Sequence, residues 1–292
     1  MSATVSFQVP SAGGPRSVTL SYARVGRGEP LLLLHGIGHH RQAWDPVLDI
    51  LATERDVIAV DLPGFGASPA LPDGLPHNLP TMTAALGALC EALELDRPHV
   101  AGNSLGGLLA LELGREKLVR SVTALSPAGF WSQAERRYAF TLLLSMRRIA
   151  RGMPLSVVRR LSRSAAGRTA LTSTIYARPG RRSPEAVVAE TLALANATGF
   201  TETLRAGNTV RFTDDVAGLP VTVAWGTRDR VLIKRQGVRA KQIIPRARLI
   251  RLPGCGHVPM NDDPALVARV ILDGSAGDSA DGGVGNGGVG DS

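Results

Sequence analysis

The chain has 292 residues, 44% of them hydrophobic, and a formal net charge of +8 at neutral pH. That size suits one large α/β domain with or without an insertion; no apolar run approaches the roughly 18 residues of a membrane span, and two cysteines are too few for a disulfide framework. The charge is local: residues 131–212 hold 14 Arg and four Glu with no Lys or Asp, leaving the remainder at −2, and aromatic side chains are not interleaved with these arginines as on a single-strand nucleic-acid face, so no nucleic-acid partner is expected.

Along the chain, residues 1–7 lack a basic region followed by an apolar core, so no secretory leader is expected and a cytoplasmic location is the default. Residues 17–22 alternate polar and apolar, the pattern of a half-exposed antiparallel edge strand. Residues 30–34 and 57–60 are apolar runs that read as buried strands, each followed by a glycine-bearing loop. Residues 81–95 form an amphipathic helical pattern in which Cys90 is a small core residue. A third buried strand, 99–101, runs into Gly102-Asn103-Ser104-Leu105-Gly106-Gly107 and a helical stretch at 108–113. Further strands are read at 122–125, 221–225 and 248–252, with a closing helix at 265–272. Buried strands separated by helices predict a mostly parallel α/β sheet. Between residues 130 and 213 the alternation stops; the segment is helical in pattern, rich in Arg and Leu, and broken at Pro154, Pro179 and Pro184. It reads as a helical insertion between two strands. Residues 274–292, mostly Gly, Ser, Asp and Ala, hold too little apolar surface to fold, and disorder is expected there.

Ser104 is the candidate nucleophile. A Gly-x-Ser-x-Gly turn between strand and helix holds its serine in a strained corner with the hydroxyl exposed, and a side chain at Gly102 or Gly106 would collide across so tight a turn. A serine hydroxyl needs an adjacent base oriented by a third group. His257 lies in the loop after the last strand, and Asp229 in the loop after the strand at 221–225. Functional groups of an open parallel sheet gather at carboxyl ends of strands, and the chain order Ser104, Asp229, His257 fits a triad that begins with the serine. Asp214 and Asp215 precede their strand and would fall at the opposite sheet edge. Two backbone N–H groups are candidates to bind an oxyanion: that of Leu105, opening the helix after the serine, and that of Ile37, in His35-Gly36-Ile37-Gly38-His39-His40. His35 is expected to brace that loop. Adjacent His39 and His40 point apart with no supporting cluster, so no metal is expected.

These motifs resemble the α/β-hydrolase fold superfamily: His35-Gly36 before the oxyanion residue, Asp61-Leu62-Pro63-Gly64-Phe65-Gly66-Ala67-Ser68 after the next strand, the turn at Gly102–Gly107 (with Asn103 and the glycines as support), Asp229 as the acid and Gly256-His257 as the histidine loop. The resemblance spans residues 17–273. It implies a mostly parallel twisted sheet of about eight strands, helices on both faces, and a helical cap. The core would comprise residues 1–129 and 214–273, the cap 130–213, and the tail 274–292. It also implies a serine hydrolase working without a cofactor, since serine at 104 argues against the aspartate-nucleophile members.

The expected reaction is hydrolysis of a carboxylic ester of a small or lipid-like apolar substrate through an acyl-enzyme. Phe140, Leu142, Leu143, Leu144, Met146, Ile149, Met153 and Leu155 would line or cover an apolar cleft if they face inward. One alternative is carbon–carbon bond hydrolysis of vinylogous diketones, which Gly102-Asn103-Ser104 and Ser126-Pro127-Ala128-Gly129-Phe130 resemble. Against it, those enzymes usually carry Gly-Pro-Gly where this chain has Gly38-His39-His40. Haloperoxidase-like perhydrolysis uses the same triad. A non-catalytic ligand-binding module is disfavoured, because no triad member is missing. The partner is thus a small-molecule ester or other carbonyl compound. Weak membrane-surface association through Arg147, Arg148, Arg151, Arg159 and Arg160 stays open beside recognition of an anionic substrate group by the same arginines, as do monomer and homodimer. Activity should fall as a catalytic histidine protonates, below about pH 6 to 7.

Overall fold

The computed structural model describes residues 2–276. Eight strands form one sheet: β1 (Ser2–Val9), β2 (Arg16–Gly26), β3 (Glu29–Leu34), β4 (Arg55–Val60), β5 (His99–Asn103), β6 (Ser121–Leu125), β7 (Val221–Gly226) and β8 (Arg248–Leu252), in the order β1-β2-β4-β3-β5-β6-β7-β8. β1, β2 and β4 pair antiparallel; all other neighbours pair parallel. The central strands divide their apolar residues with period two. Leu31, Leu33, Val57 and Ala59 face a core packed by α1 (Asp45–Ala52) and α10 (Pro264–Ser275). Leu32, Leu34, Ile58 and Val60 face the opposite core, packed by α2 (Leu79–Ala92), α3 (Leu105–Arg115) and α9 (Arg235–Ile243). A strand buried on both faces needs apolar residues throughout, which is why Leu31 to Leu34 is an uninterrupted leucine run.

One strand expectation changes. Residues 17–22 belong to a strand that is not an edge, because β1 pairs along its outer side from Ser2↔Ala23 to Val9↔Arg16. The alternation Val5, Phe7, Val9 turns Phe7 and Val9 into the core and marks β1 in retrospect. β8, read as the last strand, is the other edge and exposes Arg248, Leu249 and Arg251. The tail also starts later than expected: Gly274 and Ser275 are buried in the last turn of α10, and the rest of that segment, from residue 277, lies outside the described residues.

Between β6 and β7 the chain makes five α-helices and no strand: α4 (Gln133–Gly152), α5 (Leu155–Ser162), α6 (Ala165–Thr172), α7 (Pro184–Asn196) and α8 (Phe200–Ala206). Local sequence fixes their starts. Ser132 and Glu135 form a reciprocal capping box on α4, and Ser164 and Ser183 cap α6 and α7. Each break falls at one of the prolines singled out in the sequence: Pro154 precedes α5, Pro179 opens a short 3-10 turn, and Pro184 occupies the first position of α7.

The register brings the carboxyl ends of five strands into one row, with Leu34 beside Gly102, Asn103 beside Leu125 and Gly226 beside Leu252. Strand order reverses about β3, since β4 follows it on one side and β5 on the other. Ligands of open α/β sheets bind outside the carboxyl ends at such a point. Among the described residues no helix is long and apolar enough to cross a membrane.

Candidate active site

Ser104 stands between β5 and α3 with φ +57° and ψ −114°, a conformation that costs a non-glycine residue about 1–3 kcal/mol. The surrounding packing enforces it. A Cβ on Gly102 would stand 2.0 Å from Gly106 O, and one on Gly106 would stand 2.1 Å from Leu34 O. Backbone bonds complete the corner: Ser104 N–H donates to Leu125 O at 3.0 Å, and Leu108 and Ala128 N–H donate to Ser104 O. Asn103, buried beside it, donates from Nδ2 to Leu125 O at 3.1 Å and to His257 O at 2.9 Å. One side chain therefore ties the serine turn to the histidine loop.

His257 Nδ1 lies 2.8 Å from Asp229 Oδ2, and both side chains are buried. Asp229 Oδ1 accepts the N–H groups of Val231 and Leu232, each at 2.8 Å, so both carboxylate oxygens face donors. That assigns the imidazole proton to Nδ1 and leaves Nε2 as the basic lone pair. The two loops are held together by Gly226, where a Cβ would meet Gly256 O at 2.2 Å. Asp262 anchors the far side, accepting from Gly256 N–H at 2.7 Å and from Ala177 and Arg178 N–H at 3.0 and 2.6 Å. Asp263, rather than His257, caps α10. Asp214 and Asp215 lie exposed before β7, away from this row.

Ile37 and Leu105 both border a cavity with Ser104. Among the described residues neither backbone N–H donates to another protein group, so two donors remain unspent beside the serine. His35 braces their loop: its Nδ1–H donates to Gly36 O at 2.7 Å, and its Nε2 accepts Leu62 N–H at 3.0 Å. Burial pushes its pKa down to about 4 against the pull of Asp61, so the ring is neutral at pH 7.

Two small chambers meet at Ile37, Ser104 and Leu143, each of about 60 Å³. The first is walled by Leu79, Met82, Leu108, Trp131, Phe140 and Leu204, with His77 and Thr203 as its polar members besides Ser104. The second contains His257, with Gly36, Gly38, Met146, Ile175, Leu194 and Val258 as walls, and at its polar side His39 and Glu190. Ser104 and His257 border this second chamber without a hydrogen bond between them. Of the insertion residues expected to face inward, Phe140, Leu143 and Met146 do. Leu144 and Ile149 do not; they are 50% and 60% exposed, because the stripe of α4 that meets the core is narrower than its apolar content.

Sequence reading missed Glu190 and Tyr176. Burial pushes the His39 imidazole well below its ordinary range, so it is neutral; it accepts His40 N–H on Nδ1 and directs Nε2–H to Tyr176 Oη at 3.3 Å. Tyr176 in turn donates to Glu190 Oε1 at 2.9 Å, and Arg182 Nε donates to the same oxygen at 2.7 Å. Only the pairing of an acid with an Arg eight residues earlier could have hinted at this, and helical surfaces are full of such pairs. Cys90 and Cys255 are buried, with thiols pushed up by desolvation to about 12, and neither is a nucleophile at neutral pH. Among the described residues no group of three or more His, Cys, Asp or Glu is arranged to hold a metal ion.

With sheet, turn and loops in place, residues 31–270 match the model of the alpha/beta hydrolase family, and the chain belongs to that family. Lipase 3 of Moraxella sp. is 28% identical over 242 residues, which is 80% of this chain and 73% of its own. The 2-hydroxy-6-oxo-2,4-heptadienoate hydrolase of Pseudomonas putida is 41% identical over 90 residues, covering 30% of this chain and 32% of its own. Among solved structures, a thermophilic esterase from Thermogutta terrifontis superposes with a TM-score of 0.71 at 22% identity, covering 93% of this chain and 97% of that one, a likeness of fold alone.

Proposed function

We propose that the protein is a serine hydrolase of carboxylic esters with small apolar acyl groups, in which Ser104 is the nucleophile, His257 the general base and acid, and Asp229 the orienting carboxylate. The observation that carries this reading is the Asp229–His257 pair at 2.8 Å, whose histidine borders one chamber with Ser104 and Ile37, while Leu105 lines the adjoining chamber that Ser104 shares. Ser104 Oγ attacks the ester carbonyl carbon while its proton passes to His257 Nε2. The oxyanion is received by the N–H groups of Ile37 and Leu105. Collapse breaks the bond to the alcohol oxygen, which takes the proton from Nε2 as it leaves. Water, deprotonated by the same nitrogen, then attacks the acyl carbon; the bond to Ser104 Oγ breaks, Oγ takes the proton back from Nε2, and the acid is released. Proton transfer requires Oγ and Nε2 to close to hydrogen-bond distance in the substrate complex, as is common when a site fills. Chambers of about 60 Å³ favour a short acyl group, and a longer one requires Phe140, Leu143 and Met146 of the insertion to swing aside. The insertion serves as the cap in this reading.

A fluorophosphonate probe and p-nitrophenyl esters of two to twelve carbons test it. Labelling and turnover of the short esters are expected, and both should vanish in Ser104→Ala; an intact protein that does neither overturns the reading. The carbon–carbon hydrolase alternative has the Pseudomonas relative behind it, but a dienoate is anionic and would meet Glu190 in the chamber. The outer face of the insertion also suits weak association with an anionic membrane: Leu144 and Ile149 are exposed among Arg137, Arg148 and Arg151, and the one acid in residues 133–163, Glu135, is buried. Co-sedimentation with anionic but not neutral vesicles is expected, and binding indifferent to lipid charge would refute it.

A further inference from the structure

Glu190 presents a charged side chain, 6% exposed, at the wall of the chamber that also holds Ser104 and His257. Its Oε1 accepts from Tyr176 Oη and from Nε and Nη2 of the Arg182 guanidinium. Its Oε2 is buried and has no partner among the described residues. Neither His39 nor Tyr176 has a donor left for it. His39 is committed at both ring nitrogens, and the single Tyr176 proton is spent on Oε1. A buried carboxylate oxygen without a donor is costly, and a group that supplies one is bound in preference to one that does not. Arg182 already neutralises the carboxylate, so the vacant acceptor suits an uncharged donor and repels a second carboxylate.

Which half of an ester reaches it follows from the chemistry. His257 must hand its proton to the departing oxygen, so the alcohol half lies on the side of His257, in this second chamber. The first chamber, which lacks His257, is left for the acyl half. We propose that Glu190 Oε2 accepts a hydrogen bond from a hydroxyl on the alcohol half of the ester, which makes esters of diols and small polyols the preferred substrate class. This rests on the ester-hydrolase reading above and narrows it.

The test compares isosteric pairs in which a hydroxyl replaces a methyl: 2-hydroxyethyl against propyl butyrate, and 3-hydroxypropyl against butyl butyrate, with p-nitrophenyl butyrate as the reference. In the wild type at least one hydroxylated ester is expected to exceed its isostere by about tenfold or more in kcat/KM, the effect of a hydrogen bond to a buried charged acceptor. Without an acceptor the order reverses, because the hydroxyl loses its water. Glu190→Gln should cut the preference several-fold, since a neutral amide replaces the charged acceptor. Should that variant fail to fold with Arg182 unpaired, the double variant Arg182→Gln/Glu190→Gln removes the charges together and should show the same loss. Turnover of p-nitrophenyl butyrate with the alkyl esters preferred in both pairs overturns this inference and leaves the hydrolase reading standing. An unchanged preference in Glu190→Gln or in the double variant likewise overturns it. No turnover of any of the five esters overturns the hydrolase reading itself.

Discussion

Asp229 does two jobs with two oxygens: Oδ1 is pinned by the Val231 and Leu232 N–H groups, and Oδ2 accepts a hydrogen bond from His257 Nδ1–H. Asp229→Asn keeps an acceptor for the loop but can place an amide against Nδ1, which selects the wrong imidazole tautomer. On the proposed mechanism kcat should fall about 10³–10⁴-fold with little change in KM, as measured by steady-state ester hydrolysis. The places of Ser104, Asp229 and His257 just past strand ends were legible in the sequence, because β5 and β7 are mostly apolar runs and His257 follows the last strand in a glycine-bearing loop. Glu190 was not. It sits on a helix of the insertion, and its partners Tyr176 and Arg182 come from turns whose meeting no local pattern encodes.

At the scale of elements, α4 depends on its first turn. Glu135 closes the capping box with Ser132 and pairs with Arg239 and Arg235, so one side chain both starts the helix and ties it to α9. The hydrogen bond from Arg239, opposed by partial burial and helped by the Ser132 amide, holds its carboxyl at about 2, below the ordinary 4.5. As pH falls the unfolded chain therefore binds a proton first. The contribution is full above pH 4.5 and is lost as pH falls toward 2. Glu135→Gln should lower stability by about 1 kcal/mol at pH 7, with the gap to wild type narrowing below pH 4.5 in denaturant titrations. His35 works in the same direction over a higher window. Its folded pKa of about 4 lies below the ordinary 6.5, so stability linked to its neutral form is full above 6.5 and declines as pH falls toward 4. Element type was readable wherever period and caps agreed, as in α2 and α10. The edge strands were the weak point, since β1 and β8 bury one face or less and give a fainter signal.

For the whole molecule, what matters is how the insertion is seated on the sheet. Asp262 accepts one N–H from the histidine loop and two from the segment that follows α6. Asp262→Ala would leave one buried and two half-buried donors without their acceptor, at a cost of about 3 kcal/mol. Calorimetry should show a fall of several degrees in Tm, and ester turnover should fall with it because the His257 loop loses its outer anchor.

By itself the sequence determined the α/β sheet, the serine turn, the places of Asp229 and His257 just past strand ends, and the presence of a helical insertion. These rest on short-range signals: apolar period, glycine-bearing turns, proline breaks and the position of residues just past strand ends. Only the tertiary structure decided that Leu144 and Ile149 face out while Phe140, Leu143 and Met146 face in, that β2 is not an edge, and that Glu190 reaches the chamber of Ser104 with one oxygen unpaired. Those outcomes depend on which surfaces meet across long stretches of chain, and such meetings are set by packing rather than by any neighbouring residue.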